Sequence, residues 1–403
     1  MTHRRVAVTG IGAISAAGMT ASATWEAVRD ARPAIGPIDV PRSDRLNIKI
    51  AAQVRGFQPE TLLPPKKAAM MDRFSQFAVV AANEAVAEAG LAPGDEALSA
   101  AAVIIGIGVG GLITLDDSFF RLYGEGSHRT HPLTIPKLMC NAAASQVSMM
   151  LGAHGITYAI ASACASGTHA IGIAAQLVRS GAVKVAIGGG SEACITTGTM
   201  HGWEALRVLS SDTCRPFSRN RSGLVLGEGA GVLVLEDWDH AVARGAPILG
   251  EILGFGANAD AGDLTSPDPV GAAAAMTLAI RDAGLTPADI GYINAHGTGT
   301  TINDRVEATA VAMTFDGVKV PPISSSKGVL GHGLGAAGAL EAVVTVRALA
   351  EQVMPPTANC DDPDTDLGLD MIPNEARPAR FETALSNSFA FGGLNAVLAF
   401  GRA

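Results

Sequence analysis

The stretch ITYAIASACASGTHAIGIAAQLVRSG, residues 156–181, decides the fold. Residues 156–160 are apolar or β-branched and read as a buried strand, while residues 167–178 carry apolar side chains at helical spacing and stop before Gly181, a C′ glycine. A strand that runs through small residues into a helix is the unit of a parallel sheet covered by helices. Cys164 sits in the turn between them. There the unpaired N–H groups and positive end of a helix favour an anion and lower the pKa of a thiol, which suits a nucleophile. Ala161, Ser162, Ala163, Ala165, Ser166 and Gly167 leave room for a substrate at the sulfur and for backbone N–H groups to face a developing oxyanion. The residue also reads as a small buried side chain, because free cysteine is commonly buried. The stretch alone leaves both readings open.

The same theme recurs on either side. RRVAVTGIGAISAAG (4–18) reads as a strand and a glycine-bearing turn, but Ser15 stands where a dinucleotide loop needs its third glycine. MDRFSQFAVVAANEAVAEAG (71–90) has helical periodicity, and AAVIIGIGVGG (101–111) and VKVAIGGGSEA (183–193) read as strands ending at glycines. Near residue 240 the chain leaves one layered unit and enters a second with the same order of elements, so the expected division is 1–240 and 241–403. The fold class is α/β.

A chain of 403 residues, 48% hydrophobic but only 4% aromatic, builds its core from aliphatic and small side chains. No apolar run reaches the roughly 18 residues of a membrane span, which points to a cytoplasmic protein. The five cysteines (140, 164, 194, 214 and 360) have no CxxC spacing, so neither disulfides nor a zinc site is expected and no metal is assigned. A net charge of −9 argues against a nucleic-acid partner.

Three further segments place polar residues beside glycines at strand ends: NAHGTGT (294–300), SSSKGVLGHGLGAAGALE (324–341) and NSFAFGGLN (387–395). Two histidines, a lysine and Cys164 then converge where α/β proteins build their sites. SACASG, these three segments and RPFSRNRSGLVLGEGAG (215–231) resemble, in order and over essentially the whole chain, the β-ketoacyl-acyl-carrier-protein synthases. MHGWEALRVLSSDTCRPFSRNRSG and NAHGTGTTINDRVEATAV are most similar to the branch containing nodulation protein E and type II polyketide ketosynthases, alongside synthase II.

The resemblance implies a thiolase fold, two βαβαβ-type halves in five layers α-β-α-β-α, working as a dimer with the Cys164 segment near the two-fold axis. It implies decarboxylative condensation of an acyl group held on Cys164 with a malonyl thioester, with His296 and His332 as enolate donors and the backbone N–H groups of Cys164 and Phe391 as an oxyanion hole. Lys327 is expected to pair with Glu307 or Glu341 and to orient His332. Thr298 and Thr300 suit pantetheine amides, although capping the turn is their simpler role. Val109, Trp203, Phe389 and Ala390 are assigned to the pocket, and Lys66, Lys67 and Arg207 to docking of an acidic acyl carrier protein. The chain needs no cofactor of its own, since phosphopantetheine belongs to the carrier. Ala390 replaces a usual glycine of the gating loop, Leu394 a common threonine, and Ser218 and Ser222 common aspartates. A degradative thiolase normally has a second cysteine in the C-terminal loop, absent here, and a non-catalytic partner subunit lacks the nucleophile. A fatty-acid homodimer and a polyketide heterodimer with a chain-length-factor partner both remain.

Overall fold

The computed structural model describes residues 4–403. Its main strands are β1 Val6–Ser15, β2 Ala102–Gly106, β3 Thr157–Ile160, β4 Val185–Glu192, β5 Gly229–Asp237, β6 Gly250–Ala259, β7 Tyr292–Asn294, β8 Ile323–Ser324, β9 Thr383–Ala390 and β10 Leu394–Gly401. The helices that cover them are α1 Arg73–Glu88, α2 Ala142–Leu151, α3 Ser166–Arg179, α4 Pro269–Asp282, α5 Thr301–Thr314 and α6 Ala337–Glu351. The strand order is β8-β7-β9-β10-β6-β1-β5-β4-β2-β3. It splits into two sets of five with the same internal order and sense. In each, the first strand is antiparallel to the last, the last is antiparallel to the fourth, and the fourth, second and third are parallel. The sets meet only where Ala7 and Val8 of β1 pair with Glu251 and Gly250 of β6.

Side-chain alternation sorts the layers. Val103 and Ile105 of β2, Val185 and Ile187 of β4 and Val232 and Val234 of β5 pack under α1 and α2. Their neighbours Ala102, Ile104, Ala186, Leu233 and Leu235 point the other way, onto α3 and α6, which also receive Tyr292, Leu398 and Phe400 from the second set. Ile293, Leu385, Val397 and Ala399 face α4 and α5. The result is the expected α-β-α-β-α stack, with α3 and α6 sandwiched between sheets. Their N-terminal turns touch: a Cβ on Gly167 would lie 2.9 Å from Ala339 N, and one on Gly338 would collide with Thr168.

Two readings from sequence are corrected. Gly10 and Gly12 are not in a turn; β1 runs straight through them. A Cβ at either would lie 2.0 Å from a carbonyl oxygen of α1, so these glycines let that helix lie close on the strand. The strand before Cys164 is not fully buried. It is an outermost strand paired only with β2, and Ile156 and Tyr158 are 45% and 40% exposed. Among the described residues no helix is long and apolar enough to cross a membrane.

Candidate active site

Cys164 lies in a 3₁₀ turn, Ala163–Ala165, that delivers β3 into α3. His296 follows β7, and Lys327 and His332 lie between β8 and α6. Cys164, His296 and His332 line one cavity of about 230 Å³. The imidazole centroids are 5.3 Å apart and nearly perpendicular. Leu334 N–H lies 3.4 Å from His332 Nδ1, and Lys327 Nζ lies 3.4 Å from His296 Nδ1. With Nδ1 accepting in both rings, the proton rests on Nε2 in both. Burial and the nearby Lys327 ammonium hold both histidines well below the usual imidazole range, so they are neutral hydrogen-bond donors at neutral pH.

Lys327 is 1% exposed. It forms a buried ion pair with Glu341 and donates to the His296 carbonyl at 2.5 Å. One expectation changes: the lysine orients His296, not His332. Of the two carboxylates expected to pair with it, Glu341 is the partner. Glu307 instead accepts from the backbone N–H groups of His296 (2.8 Å) and Gly297 (2.7 Å) and from Asn387 (3.2 Å). It fixes the turn that presents His296, and burial pushes its carboxyl up to about 7.

The Cys164 thiol also departs from expectation. Burial pushes it up to about 12, opposed by Lys327 and by a hydrogen bond from the Phe391 backbone N–H. The position at a helix start does not overcome desolvation by the surrounding chain, and the resting group is a thiol. The Phe391 ring stacks on Trp203 with centroids 5.9 Å apart and planes 21° from parallel. Phe389 and Ala390 line the same cavity. Ala390 pairs with Leu394 as the last residue of its strand, and the positive φ values fall on Gly392 (+83°) and Gly393 (+67°). A methyl group at 390 is therefore unstrained here. Thr298 and Thr300 line the cavity with hydroxyls 2.9 Å apart, and Thr300 also caps α5 by accepting from Asn303 N.

Arg207 lines the mouth of the cavity, whereas Lys66 and Lys67 lie on a separate exposed turn, Pro65–Ala68, outside its lining. Val109 is also outside the lining and is 43% exposed. Where aspartates are common, Ser218 bonds Asn220 and Ser222 bonds Ser210, while Arg221 takes Asp364 (2.7 Å) as its carboxylate. The sequence reading missed the loop 260–268. Leu264 O accepts from Gly392 N (2.7 Å), and Asp260 bonds Asn395 (2.6 Å), clamping the loop that carries Phe391. Its only sequence signal was a polar, proline-bearing run before α4.

A buried thiol, two Nε2–H donors and a backbone N–H facing the sulfur can hold an acyl group and stabilise an enolate beside it. Family models for the beta-ketoacyl synthase N-terminal and C-terminal domains match residues 3–241 and 249–361. The chain belongs to the β-ketoacyl synthase family. This β-ketoacyl synthase is 46% identical to nodulation protein E of Rhizobium sp. (strain N33), over 98% of the chain and 99% of that protein. It is 39% identical to 3-oxoacyl-[acyl-carrier-protein] synthase 2 of Vibrio cholerae serotype O1, with both covered in full. Among solved structures it superimposes on the ishigamide ketosynthase/chain length factor with a TM-score of 0.94 at 33% identity, each chain covered in full. The fold is the thiolase fold, and the synthase is a condensing acyltransferase.

Proposed function

We propose that the chain elongates a carrier-bound acyl group by two carbons through decarboxylative Claisen condensation with malonyl-carrier protein. Cys164 attacks the acyl thioester, and the departing pantetheine sulfur leaves with the thiol proton. The malonyl thioester then loses carbon dioxide, and its enolate oxygen accepts from Nε2–H of His296 and His332. The enolate carbon attacks acyl-Cys164, the tetrahedral oxygen accepts from the Cys164 and Phe391 N–H groups, and the carbon–sulfur bond breaks. The released sulfur takes up a proton, which closes the cycle. Lys327 and Glu341 hold the first imidazole, and Glu307 its turn. The observation that carries this reading is the pair of imidazoles 5.3 Å apart in the cavity of Cys164, each with Nδ1 turned toward a donor.

The nucleophile belongs to 1–240 and the histidines to 241–403. The phosphopantetheine arm enters past Thr298 and Thr300, with Arg207 at the mouth and Lys66 and Lys67 farther out meeting the acidic carrier. The setting is cytoplasmic and the working unit a dimer. The exposed edge of β3 suits a second subunit, because an unpaired strand edge is a ready template for pairing. A heterodimer with a chain-length-factor-like partner is favoured over a homodimer by the likeness to a ketosynthase/chain length factor. Intact-mass and product analysis of the chain alone with acyl- and malonyl-carrier protein, beside Cys164→Ala, tests both points. A Cys164-dependent product two carbons longer establishes condensation by the chain alone. Acylation without elongation calls for the partner, and no acylation removes Cys164 from the mechanism.

A further inference from the structure

Glu192 ends β4, fully buried, and belongs to none of the steps above. Among the described residues its carboxylate has no cationic partner. One oxygen accepts from Gly108 N (2.7 Å) and Gly335 N (3.1 Å), the other from Val109 N (3.4 Å). It thus ties the turn after β2 to the turn that enters α6. Both glycines are required by the close approach. A Cβ on Gly108 would lie 2.3 Å from Glu192 Oε2, and one on Gly335 would lie 2.2 Å from Gly108 N.

Gly335 follows Leu334, whose φ of +48° is unusual for a branched side chain. Leu334 N–H lies against His332 Nδ1 and keeps the His332 proton on Nε2, and the left-handed turn runs from that N–H directly into Gly335. A conformation of this kind persists only where its surroundings over-determine it.

We propose that Glu192 is a positioning residue for the condensation, holding Leu334 in its left-handed conformation through Gly335 and thereby His332 in its donor tautomer. The proposal rests on the enolate-stabilising role proposed for His332. Burial pushes the Glu192 carboxyl up to about 7, and its negative charge opposes ionisation of three neighbouring thiols, Cys140, Cys164 and Cys194. Glu192 therefore acts on the two halves of the reaction in opposite senses. It supports decarboxylation and restrains the thiolate.

The test uses Glu192→Gln, close in shape but uncharged. Malonyl-carrier decarboxylation is expected to fall in kcat by up to about 100-fold with KM little changed, the size of effect expected for a catalytic group displaced by about 1 Å. The pH profile for iodoacetamide alkylation of Cys164, resolved by mass spectrometry of the Cys164 peptide, should move to lower pH. Unchanged decarboxylation overturns the proposal, as does a fall with no movement of the alkylation profile, which is the mark of general loosening. If Glu192→Gln does not fold, Glu192→Asp, one methylene short but charged, should lose decarboxylation while keeping the alkylation profile; full activity overturns the proposal. A wild-type chain without decarboxylase activity instead refutes the role given to His332. The tautomer link to Glu192 is then judged by His332 ring ¹⁵N shifts in wild type and Glu192→Gln, and identical shifts overturn it.

Discussion

Ala163 and Leu334 hold the same unusual backbone at the same place in the two halves, with φ of +49° and +48°. Each opens a three-residue 3₁₀ turn, and the turns run directly into α3 and α6. One turn carries the nucleophile and the other sets the second histidine, so a shared device of the fold builds both reacting stations. A β-branched side chain is poorly tolerated at such a φ. Ala163→Val is therefore expected to cost about 1–3 kcal/mol and to slow Cys164 acylation, whereas Ala163→Gly should be near neutral in stability. Thermal unfolding and acyl-enzyme formation followed by mass check this.

Replacing a buried reacting group gives separable losses. Cys164→Ala should abolish acyl-enzyme formation and condensation while sparing malonyl decarboxylation. His296→Ala or His332→Ala should slow decarboxylation by roughly 100-fold, the cost of one oxyanion donor. Carbon dioxide release and product mass read the two reactions independently.

Lys327 and Glu341 are each almost wholly buried, so removing one strands the other's charge. Lys327→Met should destabilise by about 3–5 kcal/mol, and Lys327→Met with Glu341→Leu should recover much of that loss because no uncompensated charge remains. Denaturant unfolding of the two singles and the double closes the cycle. Activity should not return with stability, since His296 still lacks the donor at Nδ1.

Trp203 and Phe391 stack on each other in the lining of the cavity, and such a pair contributes about 0.5–1.5 kcal/mol. Trp203→Ala should favour the open loop and speed acylation several-fold where opening limits it. Single-turnover acylation with short and long acyl carriers measures the change. An unchanged rate for both would remove this stack from gating.

Glu307 and Glu192 both have carboxyls pushed up to about 7 from an ordinary value near 4.5. The folded state therefore holds more protons than the unfolded chain between those values. Their contribution to stability is complete below about 4.5, declines as pH rises, and is lost above about 7. Glu307→Gln should flatten this decline, checked by melting temperatures across pH 4.5–7.5. Cys164 works in the same direction at higher pH, and its alkylation should keep accelerating beyond pH 9, because its thiol is pushed up to about 12.

Much of the site was legible because its residues are marked locally. Cys164, His296, Lys327 and His332 each stand beside glycines or small residues at a strand end, and that pattern survives without tertiary information. Glu192 was not legible: in VAIGGGSEA it reads as the polar end of a strand, and only folding puts it against glycines 84 and 143 residues away. The choice of Glu341 over Glu307 was hidden for the same reason. Both carboxylates lie on helices after glycine turns, and spacing cannot tell which helix faces the lysine.

The sequence by itself determined the order of elements, the two-layered alternation in each half and the ordered motifs of a condensing enzyme, because periodicity and glycine-marked turns are properties of neighbouring residues. Tertiary structure decided which groups are charged and which neutral. Burial raised the thiol and lowered both imidazoles. Desolvation depends on what the rest of the chain packs against a group, and no local stretch of sequence contains that.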